Sequence, residues 1–425
     1  MTMQPWFTDA KLGIFIHWGI YAVDGTAESW AFYDGDVPYD QYMAQRHGFT
    51  AAKFEADAWA DLIARSGAKY VVLTAKHHDG VSLWDTAAND LSTVKSTPAA
   101  RDLVAEYTTA LRKKGLKVGL YYSHVDWSHP DYASLRHHDP TREWMTDNPF
   151  SMPAEGAEDP AAWERFLTFH RAQIGELLTG FRPDLLWFDG QWERSERQWR
   201  MKELREEILA QCPETVLNAR MHGYGDYSTP EQGVPVEPPV GPWELCLTVG
   251  DAWGYRPGDI HPKSVRQLVR YFTETIGMGG NLLLDIGPRE DGTIPQPQAD
   301  RLLGLGEWIA RHTDAVYGSA AGLPLGHHYG PSTLSADCRT LYLMCLDAPR
   351  EFVAVRGLRS AVKKISVLGT GTELGHRVIG GFPSHGVPGV LHIDAPTAAD
   401  QDEYATVIAV ELEGELDLYR GVGQG

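Results

Sequence analysis

Over its first three quarters the chain alternates short apolar runs, each closing on a polar residue, with longer amphipathic segments, and few folds accept that pattern. Runs that stay apolar from end to end are covered on both faces, as in a parallel sheet, and each parallel crossover needs a dozen or more residues, usually a helix. The runs predict strands at Gly13–Trp18, Tyr70–Thr74, Val118–Tyr122, Leu185–Phe188, Val216–Asn218, Leu245–Val249 and Leu282–Ile286. Between them, apolar residues at three- and four-residue steps predict helices over Phe54–Arg65, Asp102–Lys114, Trp163–Leu178, Glu196–Ala210, Ser264–Ile276 and Gln298–Arg311. The fold class is therefore α/β, a (β/α)8-like barrel. Seven strands are one short, so either the eighth lies in an irregular stretch between Asp226 and Trp243 or the barrel is imperfect. An open doubly wound sheet is the other arrangement, but no Gly-x-Gly-x-x-Gly follows the first run.

After Val316 the texture changes. Leu341–Leu346, Phe352–Val355, Lys364–Leu368, Gly389–Ile393 and Thr406–Leu412 read as short strands between Gly, Pro and Asp turns, an antiparallel β-sandwich. The Gly-, Pro- and Ala-rich stretch Gly318–Gly330 marks the boundary, giving expected domains of 1–317 and 318–425.

Charge narrows the partners. Lys and Arg number 38 against 57 Asp and Glu, a net charge of -19, which repels polyanions and argues against nucleic acid or an anionic membrane. The four cysteines form no Cys-x-x-Cys pair, and neither a basic segment leading an apolar run nor about 18 consecutive apolar residues occurs. A cytoplasmic protein with reduced thiols is expected; a homo-oligomer stays open.

In a parallel barrel, reactive groups gather where strands end. Those positions hold His17, then His77, His78 and Asp79, Tyr121 and Tyr122, Asp189, Asn218 with Arg220, and Asp285. Singly, each has a plainer reading, an Asp as a helix cap or a His as a bonded core residue; the set points to a site. Asp189 is the sharpest member, because the almost wholly apolar Leu185-Leu186-Trp187-Phe188 delivers it, and Gln191-Trp192-Glu193 beyond it is no clean capping box. His77 and His78 invite a metal, but neighbours on a strand point to opposite faces, so no metal and no cofactor are expected. Fourteen tryptophans and eighteen tyrosines exceed what a core of this size needs, and Trp30, Trp84, Trp187, Trp192 and Trp253 lie beside polar strand ends. Some of these are core; the others, with His, Arg and carboxylates, describe a sugar pocket.

Several runs together resemble the α-L-fucosidases of glycoside hydrolase family 29. They are Trp6-Phe7 with Ala10-Lys11-Leu12-Gly13-Ile14-Phe15-Ile16-His17-Trp18-Gly19, then Gly67-Ala68-Lys69-Tyr70-Val71-Val72-Leu73-Thr74-Ala75-Lys76-His77-His78-Asp79-Gly80, then Gly119-Leu120-Tyr121-Tyr122-Ser123 and Trp187-Phe188-Asp189-Gly190. Trp243-Glu244, Trp253-Gly254-Tyr255 and Gly280-Asn281-Leu282-Leu283-Leu284-Asp285-Ile286-Gly287-Pro288 complete them, in family order over about the first 310 residues. The resemblance implies a barrel with strand irregularities, a C-terminal β-sandwich and a retaining mechanism with two carboxylates on a fucosylated oligosaccharide.

By that resemblance Asp189 is the nucleophile. Glu231, in Asp226-Tyr227-Ser228-Thr229-Pro230-Glu231-Gln232, is the acid/base, with Glu244 as rival and Glu237 or Asp226 as outsiders. His17, His77, His78 and Glu28 are implied to bind hydroxyls beside Trp30. Tyr121 and Arg220 are implied to hold the nucleophile, and Trp187 and Trp253 to face the sugar's methyl. Ala219 departs from the acidic residue common in the middle of Asn218-Ala219-Arg220. The Asp226–Gln232 run looks like the subgroup that prefers α-1,3 and α-1,4 linkages on branched glycans, with Glu237 and Trp243 as candidates for a second sugar site. Two other readings stay open: a retaining glycosidase for another sugar with an axial 4-hydroxyl, and a fucose-binding protein without catalysis, which is expected to lack one carboxylate.

Overall fold

The computed structural model describes residues 3–132, 159–259 and 261–421. Its centre is a parallel sheet of seven strands: β1 (Leu12–Ile16), β2 (Tyr70–Lys76), β3 (Lys117–Ser123), β4 (Leu185–Asp189), β5 (Val216–Leu217), β6 (Glu244–Thr248) and β7 (Asn281–Ile286), in the order β5-β4-β3-β2-β1-β7-β6. Each predicted apolar run is one of these strands. The space between β5 and β6 is bridged by an irregular segment: Tyr227 pairs in parallel with Asn218, Ser228 with Trp243, and Glu231 with Cys246. Of the two expectations the imperfect barrel is therefore the one observed: the segment takes the eighth position by isolated bridges and forms no strand. Its ladder is broken because Pro230 has no N–H to donate, although its carbonyl accepts from the Cys246 N–H at 3.1 Å.

Strand alternation sorts the core into two shells. Phe15, Tyr70, Val72, Tyr121, Leu185, Trp187, Cys246 and Leu283 pack inside the curved sheet, whereas Leu12, Ile14, Ile16, Val71 and Leu73 face the surrounding helices. The floor is crowded enough that a Cβ on Gly13 would stand 2.3 Å from the Tyr70 ring.

The helices form where the periodicity places them, at Ala56–Arg65, Leu103–Lys113, Pro160–Phe181, Val265–Gly277 and Gln296–Arg311. Asp102 caps one by accepting from the Ala105 N–H at 2.8 Å, and Ser264 with Gln267 closes a capping box on another. The helix expected over Glu196–Ala210 is two, Glu196–Trp199 and Met201–Gln211, broken at Arg200, which is left-handed at φ 52°. The fully buried Trp199, whose indole N–H donates to the Gln191 carbonyl, fixes the first piece and forces the turn.

Beyond the helix ending at Arg311, two antiparallel sheets of five and three strands share one apolar cluster that includes Leu341, Val355, Ile365, Ile393 and Val410. All five predicted strands are present, with short additions at Ala320–Ala321, Ser332–Leu334 and His376–Ile379. The larger sheet rests on the barrel helices: Tyr342, Met344, Val407 and Ala409 join the helix-side core, and the Trp308 indole donates to the Ala405 carbonyl at 3.0 Å.

Candidate active site

At the C-terminal mouth of the parallel sheet lies a pocket of about 250 Å³, open to solvent at its entrance. It is lined by Phe15, His17, Glu28, Trp30, His77, Tyr121, Trp187, Asp189, Trp192, Arg220, Glu231 and Trp253. Ten of the eleven residues expected to act on substrate line it. The eleventh, His78, is buried behind the wall.

Asp189 closes β4, and Gly190, left-handed at φ 83°, turns the chain sharply away and donates its N–H to Asp189 Oδ1 at 2.9 Å. Tyr121 donates its hydroxyl to Oδ2 at 3.0 Å, and Arg220 donates from Nη1 to Oδ1 at 2.7 Å. Burial pushes this carboxyl up, but the Arg220 charge outweighs burial and holds it at about 2. The other terminal nitrogen of Arg220 donates to Glu231 Oε2 at 2.6 Å, so one guanidinium bridges both carboxylates while lying on the Trp187 face, 4.7 Å from the ring centre. Glu231 comes from the irregular eighth segment and is the more exposed of the two.

The histidines are neutral. Burial brings His17 down to about 3 and His78 to about 4, and pushes His77 well below its usual range. His17 shares a 2.6 Å hydrogen bond with Asp285, and His77 one of 2.7 Å with the Ser29 hydroxyl. The Ser123 hydroxyl donates to the Val125 carbonyl, so it accepts from His78 Nδ1–H at 2.6 Å, which leaves the His78 Nε2 lone pair 3.7 Å from Asp189 Oδ2 without a hydrogen-bond partner. The expectation that His77 and His78 diverge is corrected. The chain leaves β2 at Lys76 after a register shift, and the two rings lie 4.3 Å apart between centres. Among the described residues no group of three His, Cys, Asp or Glu side chains could hold a metal ion.

Glu28 lines the pocket and accepts the Gly254 N–H; burial raises its carboxyl above the ordinary range. The Trp253 ring lies 5.0 Å from His17, and the His77 and Tyr121 rings run parallel at 5.4 Å. Phe15 and Trp192 line the pocket without having been singled out as ligands. Phe15 was readable, because it is two residues before His17 on one strand and so shares its face. Trp192 is among the tryptophans read as lying beside polar strand ends, and the turn at Gly190 brings it to the pocket.

The rival carboxylates lie elsewhere. Glu244 opens β6 and is fully buried in the barrel floor, accepting from the Tyr70 hydroxyl at 2.5 Å, the Trp187 indole at 3.0 Å and the Tyr227 hydroxyl at 3.3 Å. Asp226 is taken by Arg205 at 2.6 Å and the Leu217 N–H at 2.9 Å. Glu237 is exposed and outside the pocket lining. Trp243, suggested for a second sugar site, is instead buried in the helix-side core, where its ring packs on Gly280.

A parallel barrel whose mouth joins two carboxylates, neutral imidazoles and aromatic faces belongs to the glycoside hydrolases. The family profile described as alpha-L-fucosidase matches residues 1–314. Tissue alpha-L-fucosidase of Homo sapiens is 31% identical over 347 residues, covering 75% of this chain and 70% of that one. Alpha-L-fucosidase isoenzyme 1 from Paenibacillus thiaminolyticus superposes with a TM-score of 0.84 at 33% identity, covering 96% of this chain and 98% of its own. A family 29 alpha-L-fucosidase from Bacteroides thetaiotaomicron, trapped as a covalent intermediate with 2-fluoro-fucosyl fluoride, has the same score at 25% identity, covering 96% of each chain. The chain belongs to the α-L-fucosidase family and is an enzyme of that class.

Proposed function

We propose that this enzyme is a retaining exo-glycosidase that removes terminal α-L-fucose, with Asp189 as nucleophile and Glu231 as acid/base. The observation that carries the reading is the Arg220 bridge, which brings both carboxylates into one pocket. Asp189 attacks the anomeric carbon as Glu231 protonates the leaving oxygen; Glu231 then takes a proton from water, which hydrolyses the fucosyl ester and frees Asp189. An Asp189 carboxyl held at about 2 is ionised throughout the working range, as a nucleophile must be. The carboxyls of retaining enzymes stand about 5–5.5 Å apart, a spacing that suits a shared guanidinium. The covalent intermediate trapped in the Bacteroides relative supports the same route.

His17, His77 and Glu28 bind fucose hydroxyls, with His78 packed behind them out of the pocket lining, and Trp187 and Trp253 give its methyl group a dry wall. We take 1–317 as the catalytic domain, 318–425 as a separate one, and a reducing cytoplasmic compartment, in line with four free thiols. The linkage preference is α-1,3 and α-1,4 on branched acceptors, where binding energy from a neighbouring sugar orients the scissile bond. That sugar has no contact with Trp243.

Turnover of p-nitrophenyl α-L-fucoside, with p-nitrophenyl galactosides left intact and the first-formed sugar being α-fucose, tests sugar and stereochemistry together. A higher kcat/KM on 2′-fucosyllactose than on a Lewis-type trisaccharide would remove the linkage assignment and leave the rest.

A further inference from the structure

We propose that His124 and His170 are positioning residues that hold Arg220 from behind the pocket, through a hydrogen-bond chain of fixed sense running from Arg171 to the Arg220 carbonyl; the proposal rests on the assignment of Asp189 and Glu231 above.

His124 follows β3 and its ring lies flat on Phe188, ring centres 4.6 Å apart and planes 9° apart, while its backbone N–H donates to the Asp189 backbone carbonyl at 2.7 Å. His170 reaches it from the helix Pro160–Phe181, and neither imidazole is exposed.

A guanidinium can only donate. The 3.0 Å contact from Arg171 Nη1 to His170 Nδ1 therefore makes Nδ1 an acceptor. Burial, reinforced by the Arg171 charge, keeps His170 far below its usual range and His124 at about 3, so each ring carries one proton. That of His170 is on Nε2, and it is donated to His124 Nδ1 at 3.1 Å. The proton of His124 is then on its own Nε2, donated to the Arg220 carbonyl at 3.2 Å. Each tautomer follows from the one before it. Arg171 is itself fixed, donating to the Trp199 carbonyl at 2.7 Å and facing Glu207 at 3.4 Å.

The chain ends where the scaffold is thinnest. β5 is two residues long, and Arg220 lies three residues past its end, beyond the last ladder pair with β4. Its guanidinium nevertheless has to span Asp189 and Glu231. A small drift of the Arg220 backbone disturbs both carboxylates together, and misplacement of about 1 Å can cost on the order of a hundredfold in rate.

The test is a double-mutant cycle on p-nitrophenyl α-L-fucoside hydrolysis. His124→Phe keeps the stack on Phe188 and loses the hydrogen bond; kcat should fall about tenfold with KM changed less, as expected for a lost orientation. His124→Gln retains an acceptor for His170 and a donor for Arg220, and should stay within about threefold of wild type. In an Arg220→Ala background, His124→Phe should cost less than about twofold, because nothing remains to be positioned.

Equal losses in both backgrounds, an unaffected His124→Phe enzyme, or a Gln variant as impaired as the Phe variant would overturn the proposal. If His124→Phe does not fold, His124→Asn replaces it: it satisfies His170, is too short to reach the Arg220 carbonyl, and should lose as much rate. An unfolded Asn variant assigns His124 to folding alone and also overturns the proposal. Asp189→Ala is assayed alongside. Full activity there removes the underlying site assignment, whereas an inactive Asp189→Ala with an additive cycle removes only the positioning role.

Discussion

The floor of the barrel holds a fully buried carboxyl, Glu244, and the mouth holds a partly exposed one, Asp189, and the two are driven in opposite directions. At the mouth, Asp189 meets a cation and is held at about 2. On the floor, burial raises Glu244 to about 7, because its hydrogen-bond donors, two hydroxyls and an indole, are neutral and only partly offset the loss of water. Burial alone therefore does not make a carboxyl reactive or inert; the charge of its partner decides. The same contrast separates a permanent anion suited to attack from a group suited to bind structure together.

The largest break in that comparison is at the mouth. Asp189→Ala should leave a folded protein whose hydrolysis falls by several orders of magnitude, because the covalent route is gone. Azide should restore turnover and give the β-fucosyl azide, entering from the face that the carboxylate vacates. Near-native turnover without azide would show that the buried anion is not the nucleophile.

Glu231→Ala should cost about 10²–10⁴-fold on natural glycosides, whose poor leaving groups need a proton, and far less on aryl fucosides with acidic leaving groups. Equal losses on both substrates would mean that Glu231 only orders Arg220.

The floor makes a smaller and purely thermodynamic prediction. The folded-state pKa of Glu244 is raised from 4.5 to about 7, so its contribution is fully present below about pH 4.5 and is lost as pH rises through 7. Glu244→Gln cannot ionise. Its stability relative to wild type should therefore improve by about 3 kcal/mol between pH 4.5 and pH 8, read from denaturant melts. A constant difference across that range would show that Glu244 does not titrate in the fold. Asp189 has the opposite sense: its contribution is present above pH 3.8 and is lost only as pH falls toward 2.

Much of this was legible in the residues. Apolar runs located all seven strands, and the shortfall of one reflected an imperfect barrel, whose gap is bridged by isolated pairings in the stretch after Asp226, where Pro230 breaks the ladder. The floor position of Glu244 was also legible in principle. It precedes the run Leu245–Val249 instead of ending it, and in a parallel barrel the start of a strand is the end away from the mouth. The paired rings of His77 and His78 were not, since strand alternation fails once the chain leaves β2. Trp243 misled because a tryptophan beside acidic residues looks the same in a sugar site and in a helix-side core.

The sequence by itself determined the parallel α/β order, the C-terminal antiparallel sheets and the set of polar residues at the strand ends, because periodicity and strand termination are local properties of the chain. Only the tertiary structure decided which of them meet. Arg220 joins Asp189, 31 positions away, to Glu231, and His124 reaches Arg220 across 96 positions. Those contacts depend on strand register and on the path of an irregular segment between β5 and β6, which arise from packing the whole sheet and are encoded in no single stretch of the chain.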